Sequence, residues 1–182
     1  LGAEQSGFIT DMGFETYQKI LAEAMEELGF ETGISSRSSG DNFVSDCTIE
    51  TDQLALIPDS YIDMTAEKIR IYKELDSLTS EKDLINMKNR LTDRFGKMPV
   101  ELERLFDIVR IRQLGQKLGF EKIIIKNGVM IAFFITNPLS QYYRSDRFSK
   151  VLENVNINPK LFEIKQPDGR LRIMVRNVDG IS

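Results

Sequence analysis

The residues able to do acid–base or metal chemistry in this chain are almost all carboxylates. Its 182 residues include 28 Asp and Glu, a single cysteine (Cys47) and no histidine. A Cys/His zinc site, a Ser-His-Asp triad and a Cys-His nucleophile pair cannot be built from these residues. Neither G-x-x-x-x-G-K-[ST] nor G-x-G-x-x-G, the two glycine-rich phosphate-binding patterns, occurs. We therefore expect no catalytic, metal or cofactor site, because scattered carboxylates usually form a solvated surface.

One segment places basic side chains at regular spacing. In 170–176, arginines alternate with aliphatic residues, so a strand here has one apolar face and one basic face: Arg170, Arg172 and Arg176 against Leu171, Ile173 and Val175. No aromatic residue is interleaved for stacking on bases. The pattern favours protection of a sheet edge against strand pairing. The alternative is a nucleic-acid-binding module that uses the 170–176 arginine strand.

A second charged group lies at a bend between two predicted helices. A stripe with spacings of three and four ends at Gly96, which supplies the left-handed residue that closes a helix: Leu84, Met87, Leu91 and Phe95. Pro99 then suits the first turn of the next helix. Asp93 and Arg94 lie at this corner, where a charge pair is solvated, locks the bend, or is offered to another surface.

The overall composition limits the classes of function. With a net charge of -4 and a pI near 5.1, the chain has no global positive field that would attract DNA or an anionic membrane. One cysteine precludes an internal disulfide, and no apolar run is long enough to span a bilayer. These features indicate a cytoplasmic protein without membrane partners.

Three regions follow along the chain. Residues 1–30 form an arm with an amphipathic helix from about 13 to 28, and residues 31–42 are a Gly/Ser-rich flexible linker. A domain spans 43–182. It begins with a strand near 43–50, in which Phe43, Ser45, Cys47 and Ile49 form the buried face.

The remaining pattern predicts helices followed by hairpins. Asp63 or Thr65 caps a helix that runs to about Leu78, with Ile69, Tyr72 and Leu75 inside. Ser80 caps the helix that ends at Gly96, and a widely apolar helix extends from Pro99 to about Leu118. Asn127-Gly128 and Asp168-Gly169 are hairpin turns, separated by one more helix. The fold class is α+β, with three consecutive helices packed on a small, mainly antiparallel sheet.

Several stretches resemble the C-terminal domain of bacterial transcription-repair coupling factors, the Mfd family. The resemblance is carried by Ile57-Pro58-Asp59-Ser60-Tyr61-Ile62, Arg70-Ile71-Tyr72 and Asp93-Arg94-Phe95-Gly96-x-x-Pro99. In the arm, Leu1-Gly2-x-x-Gln5-Ser6-Gly7 with Gly13-Phe14-x-x-Tyr17 is similar to the tail of the motif that RecG and Mfd translocases share. It implies that Gln5 is the glutamine that couples ATP hydrolysis to movement on DNA.

The resemblance also implies a role for the domain. Its parent would be a DNA translocase, with ATP and magnesium in a motor that this chain does not contain. The domain itself would be non-catalytic and autoinhibitory. It would cover the UvrA-binding surface of the UvrB-like N-terminal module until RNA polymerase is engaged.

One position departs from the family pattern. The family tends to have Glu-Leu-x-Asp-Arg-Phe-Gly, with the glutamate facing the partner module, and Arg90 occupies that position here. Either the partner has exchanged charge or this contact is not used. The candidate interdomain contact therefore consists of Arg90, Asp93 and Arg94.

Overall fold

The structure, a computed structural model, describes residues 43–178. The predicted arm helix, the 31–42 linker and Gln5 lie outside them. The described elements, in chain order, are β1 (Thr48–Thr51), α1 (Thr65–Ser77), α2 (Glu81–Phe95), α3 (Val100–Leu118), β2 (Phe120–Lys126), β3 (Val129–Phe134), α4 (Asp146–Ile157), β4 (Phe162–Lys165) and β5 (Arg172–Arg176). The α+β class predicted from the sequence is confirmed.

The described residues divide into two units. A helical unit comprises 54–110, and a sheet unit comprises 43–53 and 111–178. Helix α3 contributes its first part, to residue 110, to the helical unit and the remainder to the sheet unit. Each unit is described separately below.

Local hydrogen bonds set the ends of α2 in the helical unit. The Ser80 Oγ accepts from the Asp83 backbone N–H at 3.2 Å, so Ser80 is the predicted N-cap. At the other end, Gly96 has a φ of 85° and donates its N–H to the Thr92 carbonyl at 2.9 Å. This confirms Gly96 as the residue that ends the helix, since positive φ costs glycine little.

The predicted cap of α1 is wrong. The N-cap is Met64, which makes no side-chain capping hydrogen bond. Thr65 is already the first helical residue and Asp63 precedes the cap, so neither side chain has the N-cap position from which it could satisfy a first-turn N–H. The helix itself is confirmed, because the carbonyl of Met64 accepts from the N–H groups of Glu67 and Lys68 at 3.0 and 3.1 Å.

The helical unit buries the aliphatic stripes of its helices. Leu84, Met87 and Leu91 of α2 are buried, as the spacing predicts. In α1, Tyr72 and Leu75 are buried but Ile69 is only half-buried, because the buried arc is rotated toward Ile71 and Lys68. Helix α3 has the wide apolar arc expected of it, with Leu102, Leu105, Phe106, Ile108 and Val109 buried.

The sheet unit contains five strands in the order β1-β2-β3-β5-β4. Strands β1 and β2 are parallel, and the other three pairings are antiparallel, so the sheet is mainly antiparallel as predicted. Asn127 and Gly128 have φ values of 53° and 70°, the two positive values that a type I′ hairpin turn requires. Asp168 and Gly169, at 56° and 77°, turn the second predicted hairpin.

The first strand is shorter than predicted. Strand β1 covers only Thr48–Thr51. Residues 43–46 lie outside it, so their side chains need not alternate between two faces. Cys47 and Ile49 are buried as expected, but Phe43 and Ser45 are exposed and Val44 is buried instead. The period of two therefore holds from Cys47 onward, where the chain enters β1, and fails before it.

The edge-protection interpretation of the arginine strand is also wrong. Strand β5 lies between β3 and β4, and the edges of the sheet are β1 and β4. Sequence alternation reports that one face is apolar, but strand order depends on which distant segment pairs with which. Arg172 and Arg176 therefore lie on an inner strand of the sheet, and not on an edge strand.

Cys47 is a core residue, as the sequence indicates. Its side chain is fully buried, and burial, followed by the nearby Asp46 carboxylate, raises the pKa of its thiol to about 12, although Arg112 opposes the shift. A Cβ built on Gly115 would lie 2.6 Å from the Cys47 Sγ, so the thiol fills the space left by that glycine. Thiolate chemistry is disfavoured there.

We expect Cys47 to resist thiol reagents at pH 8 and to make the fold sensitive to alkali. The unfolded thiol ionises near its ordinary pKa of 9.0, whereas the folded thiol keeps its proton to about 12. Stability is thus retained below pH 9 and lost as pH rises through that interval. Chemical denaturation between pH 8 and 11 measures the slope, with Cys47→Ala as control. An equal slope in both proteins would contradict the assignment.

Within residues 43–178, no helix has the length and hydropathy needed to cross a lipid bilayer.

Candidate interaction site

The corner between α2 and α3 is held by a tyrosine from the preceding loop. The Tyr61 hydroxyl lies 3.0 Å from the carbonyl oxygen of Leu91 and 3.1 Å from that of Gly96, and its ring packs on Phe95 with centroids 5.8 Å apart. The Gly96 carbonyl follows the last turn of α2, where main-chain acceptors lack helical partners, and the Leu91 carbonyl lies just before that turn. Burial raises the pKa of Tyr61, so the hydroxyl stays protonated as a donor. The backbone of the corner is therefore fixed.

The loop that carries Tyr61 is itself anchored to α1. The Pro58 carbonyl accepts from the N–H groups of Tyr61 and Ile62 at 3.0 and 3.1 Å, which closes a turn. Asp59, in that turn, forms an ion pair with Lys68. The Lys68 side chain is 3% exposed and that of Asp59 is 53% exposed, so a buried ammonium group is neutralised by a carboxylate at the surface. The ion pair that neutralises Lys68 therefore also holds the Tyr61 loop against α1.

Two of the three predicted site residues form ion pairs with α1. Arg90 Nη2 lies 2.5 Å from Glu74 Oε1, and Arg94 Nη1 lies 2.6 Å from Glu67 Oε1. The Arg94 guanidinium also lies 4.8 Å from the centre of the Phe95 ring. Both arginine side chains remain more than half exposed, at 57% and 56%, so each pair contributes only about 0–1 kcal/mol.

Asp93 differs from the two arginines. It lies on the exposed side of α2, and no partner of its carboxylate lies among residues 43–178. The structure therefore brings Arg90 and Arg94 together with α1 but leaves Asp93 outside this network. All three remain accessible at one corner.

The acidic residues of α1 that pair with Arg90 and Arg94 were not predicted from the sequence. Glu67 and Glu74 are seven residues apart, which places them on one face of α1, two helical turns from each other. Arg90 and Arg94 are four residues apart and share a face of α2. Two matched rows of opposite charge on consecutive helices are the signal that could have identified the pairs.

The arginine strand has a different environment from the one its sequence suggests. The guanidinium carbons of Arg170 and Arg172 lie 4.9 and 5.9 Å from the centre of the Phe133 ring on β3. Arg172 is directly opposite Phe133 in the β3–β5 register. An aromatic side chain is thus present on this face, contributed by the neighbouring strand, but arginines cover it.

Carboxylates neutralise part of the strand's charge. Arg176 lies 3.5 Å from Glu163, and Arg170 lies 3.7 Å from Glu121. The hydrogen bond from Lys165, together with the proximity of Arg176, lowers the pKa of Glu163. No cluster of three or more His, Cys, Asp or Glu with metal-binding geometry occurs in residues 43–178.

The helical hairpin of α2 and α3 and the mixed five-stranded sheet belong to one α+β domain class. The same fold is found in a crystal structure of the C-terminal domain of a transcription-repair coupling factor, with a TM-score of 0.61 over 72% of this chain and 79% of that one, at 19% identity.

Sequence comparisons agree with the fold. The family model for the TRCF domain matches residues 51–145. Among similar proteins, the transcription-repair-coupling factor of Staphylococcus epidermidis is 34% identical over 97% of this chain, and that of Rickettsia conorii is 32% identical over 98%. That of Escherichia coli K12 is 34% identical over 68% of the chain. The chain belongs to the transcription-repair coupling factor family.

The chain spans only a small part of these relatives. It covers 14% of the Staphylococcus epidermidis protein and 15% of the Rickettsia conorii protein. The similarity therefore does not by itself assign the activity and partners of a whole coupling factor to this chain.

Proposed function

We propose that this chain is a non-catalytic, autoinhibitory domain of a transcription-coupled DNA-repair translocase. Its α2–α3 corner binds the UvrB-like N-terminal module of the same polypeptide and masks the UvrA-binding surface of that module until RNA polymerase is engaged. The observation that carries the proposal is the corner itself. It combines a fixed backbone with an exposed Asp93 carboxylate that has no partner among residues 43–178.

A preorganised corner suits a regulatory contact. Because Tyr61 and the ion pairs of Arg90 and Arg94 already restrict the corner, binding orders few additional side chains. Tethering within one polypeptide gives an effective concentration on the order of millimolar, so a dissociation constant of about 10 μM leaves roughly 99% of molecules closed. A weak contact is therefore sufficient, and it can be released when polymerase competes.

The other partners follow from the parent protein. ATP and magnesium are bound by the parent motor, and DNA and RNA polymerase are reached through the rest of the polypeptide. Gln5, outside the described residues, would act in the translocation motif. The domain would work in the cytoplasm, without a membrane partner.

The nucleic-acid alternative is less well supported. Base stacking needs an accessible aromatic face, and Phe133 is covered by Arg170 and Arg172. Glu163 and Glu121 also neutralise arginines of the same strand. We expect no DNA binding with the steep salt dependence that phosphate contacts impose.

Asp93→Lys is expected to weaken binding of the isolated UvrB-like module to this chain by roughly 10- to 100-fold. The substitution replaces a carboxylate that is desolvated on binding, and attracts the partner, by a repulsive charge. Calorimetry with the two separate proteins measures the effect. In the full-length factor the same change should raise UvrA affinity. Glu153→Lys, the same charge change at an exposed position of α4, is the control.

A charge exchange separates interdomain contact from internal architecture at Arg90. The double variant Arg90→Glu with Glu74→Arg keeps an ion pair between α1 and α2 but inverts the charge at the corner. If Arg90 contacts the partner module, the double variant binds as weakly as Arg90→Glu alone. Recovery of binding together with thermal stability would show that Arg90 serves only the helical unit.

A further inference from the structure

The outer face of the sheet, opposite to the face that Gly115 of α3 and Phe148 of α4 contact, carries an apolar stripe. Alternation in the strand registers assigns Ile124, Ile131 and Met174 to one row across β2, β3 and β5. All three side chains are half-buried, whereas the inward-facing Ile123, Ala132 and Ile173 are buried. The inner face is covered within the unit, since Gly115 of α3 approaches Cys47 and Ile123, and Phe148 of α4 packs on Phe134.

The charge on this outer face is opposite to that of the whole chain. In the same registers the face carries five basic side chains and two carboxylates: Lys122, Lys126, Lys165, Arg172 and Arg176, with Glu50 and Glu163. The face is therefore positive, whereas the chain has a net charge of -4. An acidic partner is favoured by this local field.

Arg172 is the uncompensated charge of the face. Glu50 lies 2.5 Å from Lys122 and 3.4 Å from Lys126, and Glu163 lies 2.9 Å from Lys165 and 3.5 Å from Arg176. For Arg172, no carboxylate partner lies among residues 43–178, and its Nε is buried without a hydrogen-bond partner. Its stacking on Phe133 restricts the guanidinium in advance, which lowers the entropic cost of binding.

We propose that this outer sheet face binds an acidic peptide segment of a partner protein. A carboxylate of the segment pairs with the Arg172 guanidinium, which suits carboxylate geometry. Aliphatic side chains of the segment cover the stripe formed by Ile124, Ile131 and Met174. The residues of this surface are different from those of the α2–α3 corner, and the proposal does not depend on the function proposed for that corner.

Two other occupants fit the surface less well. A second copy of the chain would bring two positive faces together, which is repulsive. A nucleic acid has no aliphatic side chains to cover the stripe, and the Phe133 ring on which a base could stack is covered by arginine. An acidic segment with aliphatic residues matches both the stripe and the charge.

The test uses the complete 182-residue chain and fluorescein-labelled probes. The probes are a peptide of Glu, Asp and Leu, the same peptide with Lys at every acidic position, and a single-stranded oligodeoxynucleotide. We expect the acidic peptide alone to raise its fluorescence anisotropy on binding. Amide chemical-shift changes on titration should map to β2, β3 and β5.

Charge reversal tests the anchoring residue. Arg172→Glu should weaken binding of the acidic peptide about tenfold or more, and Arg176→Glu, at a side chain that is 66% exposed and tolerant of change, should weaken it less. Lys150→Glu, on an exposed position of α4, should have no effect. The proposal is overturned if the acidic peptide does not bind, if neither arginine variant weakens binding, or if the oligonucleotide binds in preference.

Discussion

Gly119→Ala is expected to destabilise the sheet unit by about 3 kcal/mol, the sum of a backbone and a packing cost. Gly119 has a φ of 84°, and a Cβ built on it would lie 2.2 Å from the Tyr142 Cε2 atom. That ring cannot yield, because Tyr142 is fully buried and its hydroxyl donates to the Leu118 carbonyl at 2.5 Å.

Aromatic packing further fixes the ring. Tyr142 contacts four other aromatic rings, with centroids 5.3 to 6.1 Å apart: Phe43, Phe134, Tyr143 and Phe148. Thermal denaturation followed by circular dichroism should show a decrease in Tm of about 10 °C for this size of loss. The glycine is thus required by close approach as well as by its backbone angle.

Gly169→Ala is the matched control for this experiment. Gly169 lies in the same unit with a φ of 77°, but nothing approaches its built Cβ within 4 Å. Its substitution measures the backbone cost alone, about 1 kcal/mol. Equal losses for the two variants would show that Tyr142 moves aside and that the close approach contributes nothing.

Asp59→Ala is expected to cost about 2–3 kcal/mol, because it leaves the buried Lys68 ammonium without its partner. Lys68 is 2% exposed and lies on the buried face of α1, so water cannot replace the lost carboxylate. The loss should be accompanied by greater mobility of the Tyr61 loop, since the ion pair ties Asp59, in the turn that the Pro58 carbonyl closes, to Lys68 of α1. Urea denaturation measures the first effect and amide exchange of the loop the second.

Lys68→Met provides the reverse comparison. It removes the buried charge, fills similar volume, and leaves Asp59 at a surface position where water solvates the carboxylate. We expect a change within about 1 kcal/mol. If Lys68→Met is as destabilising as Asp59→Ala, the pair contributes through attraction itself rather than by avoiding an unpaired buried charge.

Some features of the α2–α3 corner could be predicted from the local sequence pattern, and others could not. The stop at Gly96, the Ser80 cap and the stripe of α2 are all encoded within a few residues, so the helical hairpin and its exposed Asp93 were predictable. The ion pairs of Arg90 and Arg94 were not, because their partners lie 16 and 27 residues earlier on α1. Their geometry depends on how two helices pack, which single-helix periodicity does not determine.

The burial of Lys68 is likewise not predictable from the pattern of α1 alone. A polar residue in a helical pattern is expected to face water, since burial of a charge is costly. Lys68 is buried because Asp59, nine residues earlier in a turn, brings a carboxylate to it. Only the folded loop supplies that compensation.

By itself, the sequence determined the α+β class, the order of helices and hairpins, the two turns at Asn127-Gly128 and Asp168-Gly169, and membership of a family. These depend on side-chain spacing and on backbone preferences within one element. Tertiary structure alone decided that β5 lies inside the sheet, that Phe133 underlies its arginines, and that Arg172 is left without a carboxylate among residues 43–178. The physical reason is that strand order and charge compensation arise from contacts between residues far apart in sequence, and alternation within one strand is the same whatever lies beside it.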